Sequence, residues 1–83
     1  MTFQIIWDEQ ATDAAVRFLK DDPDGLRQVF SAVDLLADDP RPTGTFSHGY
    51  PNTCRLRVGF YRVLYEIDDA TVTIAVLHPG RTA

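Results

Sequence analysis

The sequence is short of several residue types, and each shortage excludes a class of protein. Cys54 is the only cysteine, so the chain cannot form an internal disulfide, and a reduced thiol is expected. No apolar run approaches the ~20 residues that a membrane-spanning helix requires. The first residues, MTFQIIWDEQ, lack the basic segment of a signal peptide. We therefore expect a cytoplasmic protein with no membrane partner.

Motifs for metal-dependent and nucleotide-dependent chemistry are also missing. The chain has no G-x-x-x-x-G-K-[ST] loop, no G-x-S-x-G turn and no cysteine or histidine spacing typical of zinc. Any phosphate chemistry is therefore expected to proceed without a metal or another cofactor. A chain of 83 residues supports one hydrophobic core, so residues 1–83 are predicted to form a single domain.

Lysine is nearly absent, and the charge is unevenly distributed. The formal net charge is −4; residues 1–50 contain nine acidic and four basic residues, whereas residues 51–83 contain three acidic residues and four arginines. Arginine binds phosphate and carboxylate through paired hydrogen bonds, with more geometric specificity than lysine. The acidic total argues against delocalised nucleic-acid binding, which depends on many phosphate contacts. A local anion site remains compatible with the sequence.

The N-terminal half predicts a strand followed by two helices. TFQIIW, residues 2–7, is typical of a strand. Asp8 is a good N-cap, and the apolar residues after it follow a helical spacing: Ala11, Ala14, Ala15, Phe18 and Leu19. Asp22 and Pro23 fit the cap and first position of a second helix with the apolar face Leu26, Val29, Phe30, Val33 and Leu36. Because only the segment Asp21-Asp22-Pro23 joins the two helices, they are predicted to fold back as an antiparallel hairpin.

The C-terminal half predicts a β-meander. Residues 41–52 are rich in proline and glycine, which predicts a loop with a short, irregular strand near residues 45–47. Strands are predicted over residues 53–58, 61–67 and 71–77. The fold class is therefore α+β with the order β-α-α-β-β-β. We expect the helical hairpin to pack on one face of a mostly antiparallel sheet of four or five strands.

CRLRVGFYRVLYEI, residues 54–67, predicts a hairpin that gathers arginines on one face of the sheet. Gly59 and Phe60 fit a two-residue type II′ turn, which places Arg57 opposite Arg62, with Arg55 on the same face. The opposite, buried face is predicted to contain Cys54, Leu56, Val58, Tyr61, Val63, Tyr65 and Ile67, continued by Val72, Ile74 and Val76. Two opposed like charges are unfavourable. The arginines are therefore either a solvated face, splayed into water or paired with Glu66 and nearby acids, or a binding site for an anion.

RLRVGFYRVLYEI is similar to the R-x-R-x-G-x-Y-R-x-x-Y signature of the RelE/ParE superfamily of type II toxin–antitoxin systems, and the order of elements agrees over about residues 2–81. Members that resemble RelE cut messenger RNA in the ribosome, where the 2′-hydroxyl of the RNA attacks the adjacent phosphate without a metal. The resemblance implies RNA- or phosphate-binding roles for Arg55 and Arg57. It implies that Arg62 and Arg81 contact the scissile phosphate.

The C-terminal segment LHPGRTA departs from the superfamily pattern. Many active members end in H-R-x-x-x-Y, whose histidine or tyrosine assists proton transfer, but here two residues separate His78 from Arg81 and no tyrosine follows. Histidine titrates near neutrality, so His78 is the candidate catalytic acid or base, with a surface histidine at a strand end as the equal alternative. His48 is a weaker candidate. Other reactive groups are expected in the core: Cys54, Tyr61 and Tyr65.

Three functions remain compatible with the sequence. The first is a RelE-like mRNA endonuclease whose partners are the ribosome and mRNA, with activity weakened or lost because ribosome-entering toxins are usually basic. The second is a ParE-like toxin that acts on DNA gyrase, which the missing tyrosine and the low positive charge favour. The third is a degenerate, non-toxic homologue that only binds its antitoxin. All three predict a cognate antitoxin as a partner.

Overall fold

The computed structural model describes residues 2–42, 45–48 and 50–79, with the backbone alone described at residues 46–48, 50 and 51. The predicted α+β architecture is confirmed. The short strand predicted near residues 45–47 is present at one edge of the sheet and brings the number of strands to five. The elements in chain order are β1 (Gln4–Trp7), α1 (Glu9–Asp21), α2 (Pro23–Leu35), β2 (Thr45–His48), β3 (Tyr50–Val58), β4 (Tyr61–Asp68) and β5 (Thr71–Pro79).

The strands form one sheet in the order β1-β5-β4-β3-β2. The pairs β2–β3, β3–β4 and β4–β5 are antiparallel, and β1 pairs in parallel with β5. Because β1 and β2 lie at opposite edges, the two helices carry the chain from one edge of the sheet to the other. This connection leaves the opposite face of the sheet without a helical layer among the described residues.

The two helices meet at Asp22, which closes one and opens the other. Its backbone N–H donates to the Phe18 carbonyl at the end of α1, and its Oδ1 accepts from the Gly25 N–H at 3.1 Å in the first turn of α2. Asp8 is the N-cap of α1, and its Oδ1 accepts from the N–H of the next residue, Glu9, at 2.7 Å. Both helices have 13 residues. No described helix is long and apolar enough to cross a membrane.

The hydrophobic core lies between the helical hairpin and the inner face of the sheet. Trp7 on β1 packs edge-on against Phe30 on α2, with ring centroids 5.7 Å apart. Tyr65 is fully buried, and its hydroxyl donates to the Pro40 carbonyl at 2.6 Å, which ties the segment after α2 to the sheet. The buried set also includes Ala11, Ala14, Ala15, Leu26, Val29, Val33, Leu36, Cys54, Leu56, Tyr61, Val63, Val72, Ile74 and Leu77.

The prediction that Val76 belongs to the buried face is wrong, because β5 contains a bulge. Leu64 pairs with Val76 and Tyr65 pairs with Ile74, so Ala75 is an extra residue on β5. One extra residue reverses the alternation of side chains along the rest of the strand. Val76 is therefore 37% exposed on the outer face, and Leu77 enters the core in its place.

Candidate functional site

Three basic side chains occupy neighbouring positions on three adjacent strands. The β3–β4 register places Arg57 opposite Arg62, and the β4–β5 register places Arg62 opposite His78. Neighbouring strands lie about 4.8 Å apart, so the three positions span about 10 Å across the sheet. We call Arg57, Arg62 and His78 the basic row. It lies on the outer face, opposite the helices, near the closed end of the β3–β4 hairpin.

The Gly59 turn sets the register of this row. Gly59 has φ +55°, whereas no positive φ is found at Phe60, which agrees with the predicted type II′ turn and not with type I′. Val58 and Tyr61 form the pair that flanks the turn, as predicted. The next pair along the hairpin is Arg57 with Arg62, so the turn brings two guanidinium groups to one face.

Arg55 shares the outer face with the basic row. It lies two residues before Arg57 on β3 and opposite Leu64 on β4, and its side chain is half-buried. The prediction that Arg55, Arg57 and Arg62 lie on one side of the hairpin is confirmed. Arg55 therefore extends the positive surface by about 7 Å along β3, at about 3.4 Å per residue.

Carboxylates do not neutralise the two arginines of the row. Within residues 2–42, 45–48 and 50–79, neither Arg57 nor Arg62 forms a salt bridge or side-chain hydrogen bond, and the described ion pair joins Arg27 to Asp24 at 3.4 Å on the surface of α2. Glu66 lies four residues beyond Arg62 on β4, roughly 14 Å along the strand. The pairing of these two arginines with Glu66 is therefore wrong, whereas the alternative of side chains splayed into water stays a prediction.

His78 reaches the outer face because of the β5 bulge. Strict alternation from Val72 and Ile74 would place His78 on the core side, and the extra residue Ala75 turns it to the side of Arg62. Its Nδ1 lies 3.1 Å from the Pro79 carbonyl oxygen. A carbonyl oxygen accepts and does not donate, so this contact is a hydrogen bond in the tautomer that has its proton on Nδ1, and in that tautomer Nε2 has the free lone pair.

Two further candidates from the sequence, Arg81 and His48, have side chains outside the described part of the chain. Arg81 lies outside the described residues. His48 belongs to β2, and its side chain is not part of the description. Cys54 is completely buried, as expected, and the guanidinium of Arg41 lies 3.3 Å from its sulfur. Of the predicted catalytic residues, Arg62 and His78 lie in the described part of the chain, and both belong to the basic row.

The two tyrosines of the hairpin are core residues, as predicted. The hydroxyl of Tyr61 donates to Asp22 Oδ2 at 2.9 Å, which links the start of β4 to the junction of the helices. Burial, together with this hydrogen bond to a carboxylate, raises the pKa of Tyr61. Burial also raises the pKa of Tyr65. Both phenols are kept neutral on the opposite face from the basic row.

The basic row contains groups that can bind a phosphate and accept a proton. Two guanidinium groups without a carboxylate partner can bind a phosphate and stabilise the charge that develops on it. An imidazole lone pair beside them can accept a proton. The part of the chain described by the structure contains no group of three or more His, Cys, Asp or Glu side chains that could hold a metal ion.

Sequence reasoning missed one exposed aromatic residue beside the row. Phe60, in the turn between β3 and β4, is 71% exposed. The signal was present in the sequence, because turn positions usually carry polar residues or glycine. An exposed aromatic at such a position, two residues from Arg62, indicates a contact surface.

Comparison with known proteins assigns the family. Residues 5–82 match the family described as the ParE toxin of type II toxin-antitoxin system, parDE. The chain belongs to this family. The predicted membership of the RelE/ParE superfamily of toxins is thus confirmed. No curated protein matches the sequence of this toxin.

Solved structures of superfamily toxins share the fold over nearly the whole chain. The archaeal RelE–RelB complex from Pyrococcus horikoshii OT3 is 25% identical, with full coverage of both chains and a TM-score of 0.78. The RelBE2 toxin–antitoxin complex from Mycobacterium tuberculosis is 21% identical, with 95% of this chain and 92% of that chain covered and a TM-score of 0.76. The YoeB dimer from Staphylococcus aureus is 16% identical, with coverages of 90% and 93% and a TM-score of 0.72.

Proposed function

We propose that this toxin is a RelE-like mRNA endonuclease that acts in the ribosome without a metal. The observation that carries the proposal is the basic row, in which Arg57, Arg62 and His78 lie side by side on three adjacent strands. Two directly opposed guanidinium groups repel one another, and a phosphate between them would relieve that repulsion. The similarity to the archaeal RelE structure over the full chain supports the same assignment.

In the proposed reaction, Arg62 binds the scissile phosphate, and Arg55 and Arg57 bind the RNA backbone beside it. Nε2 of His78 takes the proton from the 2′-hydroxyl, the 2′-oxygen bonds to phosphorus, and the bond from phosphorus to the 5′-oxygen breaks. Guanidinium groups stabilise the charge on the phosphate but do not transfer protons at neutral pH. The proton for the leaving oxygen therefore comes from solvent. Following the superfamily pattern, Arg81 is the second proposed phosphate contact.

Growth after induction tests this proposal. The wild-type toxin, expressed alone in bacteria, is expected to arrest growth and translation, and Arg62→Ala is expected to relieve the arrest. Arg27→Ala is a matched control, because it removes an arginine from the surface of α2, far from the basic row. Cleavage of mRNA on purified ribosomes gives the direct readout. Full toxicity of the Arg62→Ala variant would contradict the assignment.

The family assignment favours a second candidate function. The matching family is named for ParE, and ParE-like toxins are expected to inhibit DNA gyrase instead of cutting RNA. A supercoiling assay with purified gyrase separates the two functions. Inhibition of gyrase by both the wild type and Arg62→Ala, without mRNA cleavage, would establish the second function. No inhibition at micromolar toxin would count against it.

We also propose that the toxin binds a cognate antitoxin in the cytoplasm. The family consists of toxins from type II toxin–antitoxin systems, and the similar RelE and RelBE2 structures were solved as toxin–antitoxin complexes. If the wild type neither arrests growth nor inhibits gyrase but binds an antitoxin, the chain is the degenerate homologue of the third hypothesis. Co-purification with the protein encoded by the adjacent gene provides that test.

A further inference from the structure

A cleft of about 390 Å³ opens at the end of the sheet beside the Gly59 turn. It is lined by Phe18, Asp22, Phe60, Tyr61 and Pro79. We propose that this cleft binds a nucleobase of the RNA, with the ring of Phe60 as its stacking surface. The inference rests on the proposed endonuclease function and adds a binding site for a base next to the phosphate.

Residues of the cleft and of the basic row are neighbours in sequence on β4 and on β5. Tyr61 precedes Arg62 on β4, Pro79 follows His78 on β5, and the two cleft residues are paired with each other. Tyr61 has its side chain on the helical side of the sheet, whereas Arg62 has its side chain on the outer side. An RNA strand held at Arg62 therefore reaches the cleft by passing over the end of the sheet at the turn.

The chemistry of the lining suits a base and not a phosphate. The rings of Phe18 and Tyr61 lie 5.6 Å apart at the back of the cleft. The side chain of Phe60 is 71% exposed. A flat aromatic base that stacks on this ring would remove apolar surface from water, which stabilises the complex. Among the described residues of the lining, the charged group is the Asp22 carboxylate, which would repel a phosphate.

The hydrogen bonds of Asp22 also indicate how selective the cleft is. Its Oδ1 accepts from the Gly25 N–H and its Oδ2 accepts from the Tyr61 hydroxyl. Each oxygen therefore already has one donor and keeps one further acceptor position for the edge of a base. Stacking, which every base provides, dominates, so we expect binding to tolerate different bases.

Binding of an uncleavable RNA tests the cleft. The probe is a tetranucleotide with 2′-O-methyl groups throughout and 2-aminopurine at one internal position, which reports stacking through fluorescence quenching. Phe60→Ala is expected to weaken binding about 5- to 150-fold and to abolish the quenching, and Phe60→Trp is expected to restore both. Leu35→Ala is the control, since Leu35 is 67% exposed at the far end of α2, about 20 Å along the helix from Asp22.

The salt dependence distinguishes the cleft from the phosphate site. Arg62→Ala is expected to weaken binding and to reduce the slope of log affinity against log salt by about 1, because a phosphate contact releases a counterion. Phe60→Ala is expected to leave the slope unchanged, because stacking involves no charge.

Unchanged affinity and quenching in Phe60→Ala, with binding lost in Arg62→Ala, would overturn the proposed base site and leave the proposed function standing. Absence of RNA binding by the wild type, with gyrase inhibited, would overturn both. A Phe60→Ala variant that loses only gyrase inhibition would assign the cleft to a protein partner and overturn the inference.

Discussion

Replacing Arg57 and Arg62 by threonine, singly and together, tests whether the two guanidinium groups face each other without a carboxylate between them. Threonine suits an exposed strand position and removes the charge. Directly opposed Cβ atoms lie about 5 Å apart, and two unit charges about 5 to 8 Å apart in water repel by roughly 0.5 to 0.8 kcal/mol. Either single substitution removes the whole repulsion. The double variant is therefore expected to be less stable than the sum of the two single effects predicts, by about 0.5 to 0.8 kcal/mol.

Urea unfolding of the four proteins measures this coupling. At about 0.01 M salt the Debye length is about 30 Å and the coupling should be fully present, whereas at about 1 M it is about 3 Å and the coupling should disappear. Arg27→Ala combined with Arg62→Thr is the control pair, and its effects should add because Arg27 lies on the helical side of the sheet. Zero coupling at low salt, or coupling of the attractive sign, would refute the arrangement of the row.

Three further predictions concern the helix junction, the buried tyrosines and His78. Gly25→Ala, which usually stabilises a helix, is expected to destabilise the toxin by about 1 kcal/mol in urea unfolding, because a Cβ there would lie 2.8 Å from Asp22 Cγ and displace the cap. The fold raises the pKa of Tyr61 and Tyr65, so their contribution to the free energy of unfolding is present below the unfolded pKa near 10 and is lost as the pH rises further. A variant with both tyrosines changed to Phe should therefore show a flatter decline of the free energy of unfolding with pH. His78→Asn should slow cleavage by about 10²- to 10⁴-fold and leave urea stability nearly unchanged; an unchanged cleavage rate would remove the proton-transfer role.

Much of the fold could be predicted because its signals are local. Asp8 and Asp22-Pro23 specify where the helices begin, and the described caps use those residues. Gly59 specifies a two-residue turn, which fixes the pairing of β3 with β4 residue by residue. With the register fixed, alternation decides the face of every side chain on the hairpin. The outer position of the three arginines therefore followed from the sequence.

The orientation of His78 could not be predicted, because the bulge that determines it has no local signal. TVTIAVLHP alternates well enough to be read as a regular strand, which places Val76 in the core. The helices and β4 instead select the larger Leu77 for the core, and Ala75 takes up the extra position. That choice depends on packing between elements distant in sequence. The bulge that places Leu77 in the core also places the imidazole of His78 beside Arg62.

In the proposed RNA binding, the net negative charge and the basic row act at different stages. The segment 8–39, which contains both helices, carries nine acidic and three basic residues, whereas the row lies on the opposite face of the sheet. Packed layers are separated by about 10 Å, which exceeds the Debye length of about 8 Å at physiological ionic strength. The helical acids therefore contribute little to the free energy of a phosphate bound at Arg62. They do repel RNA that approaches from the helical side, so encounters through the outer face are favoured. A net charge of −4 is thus compatible with a local phosphate site, and it makes association slower and more dependent on orientation than it would be for a basic toxin.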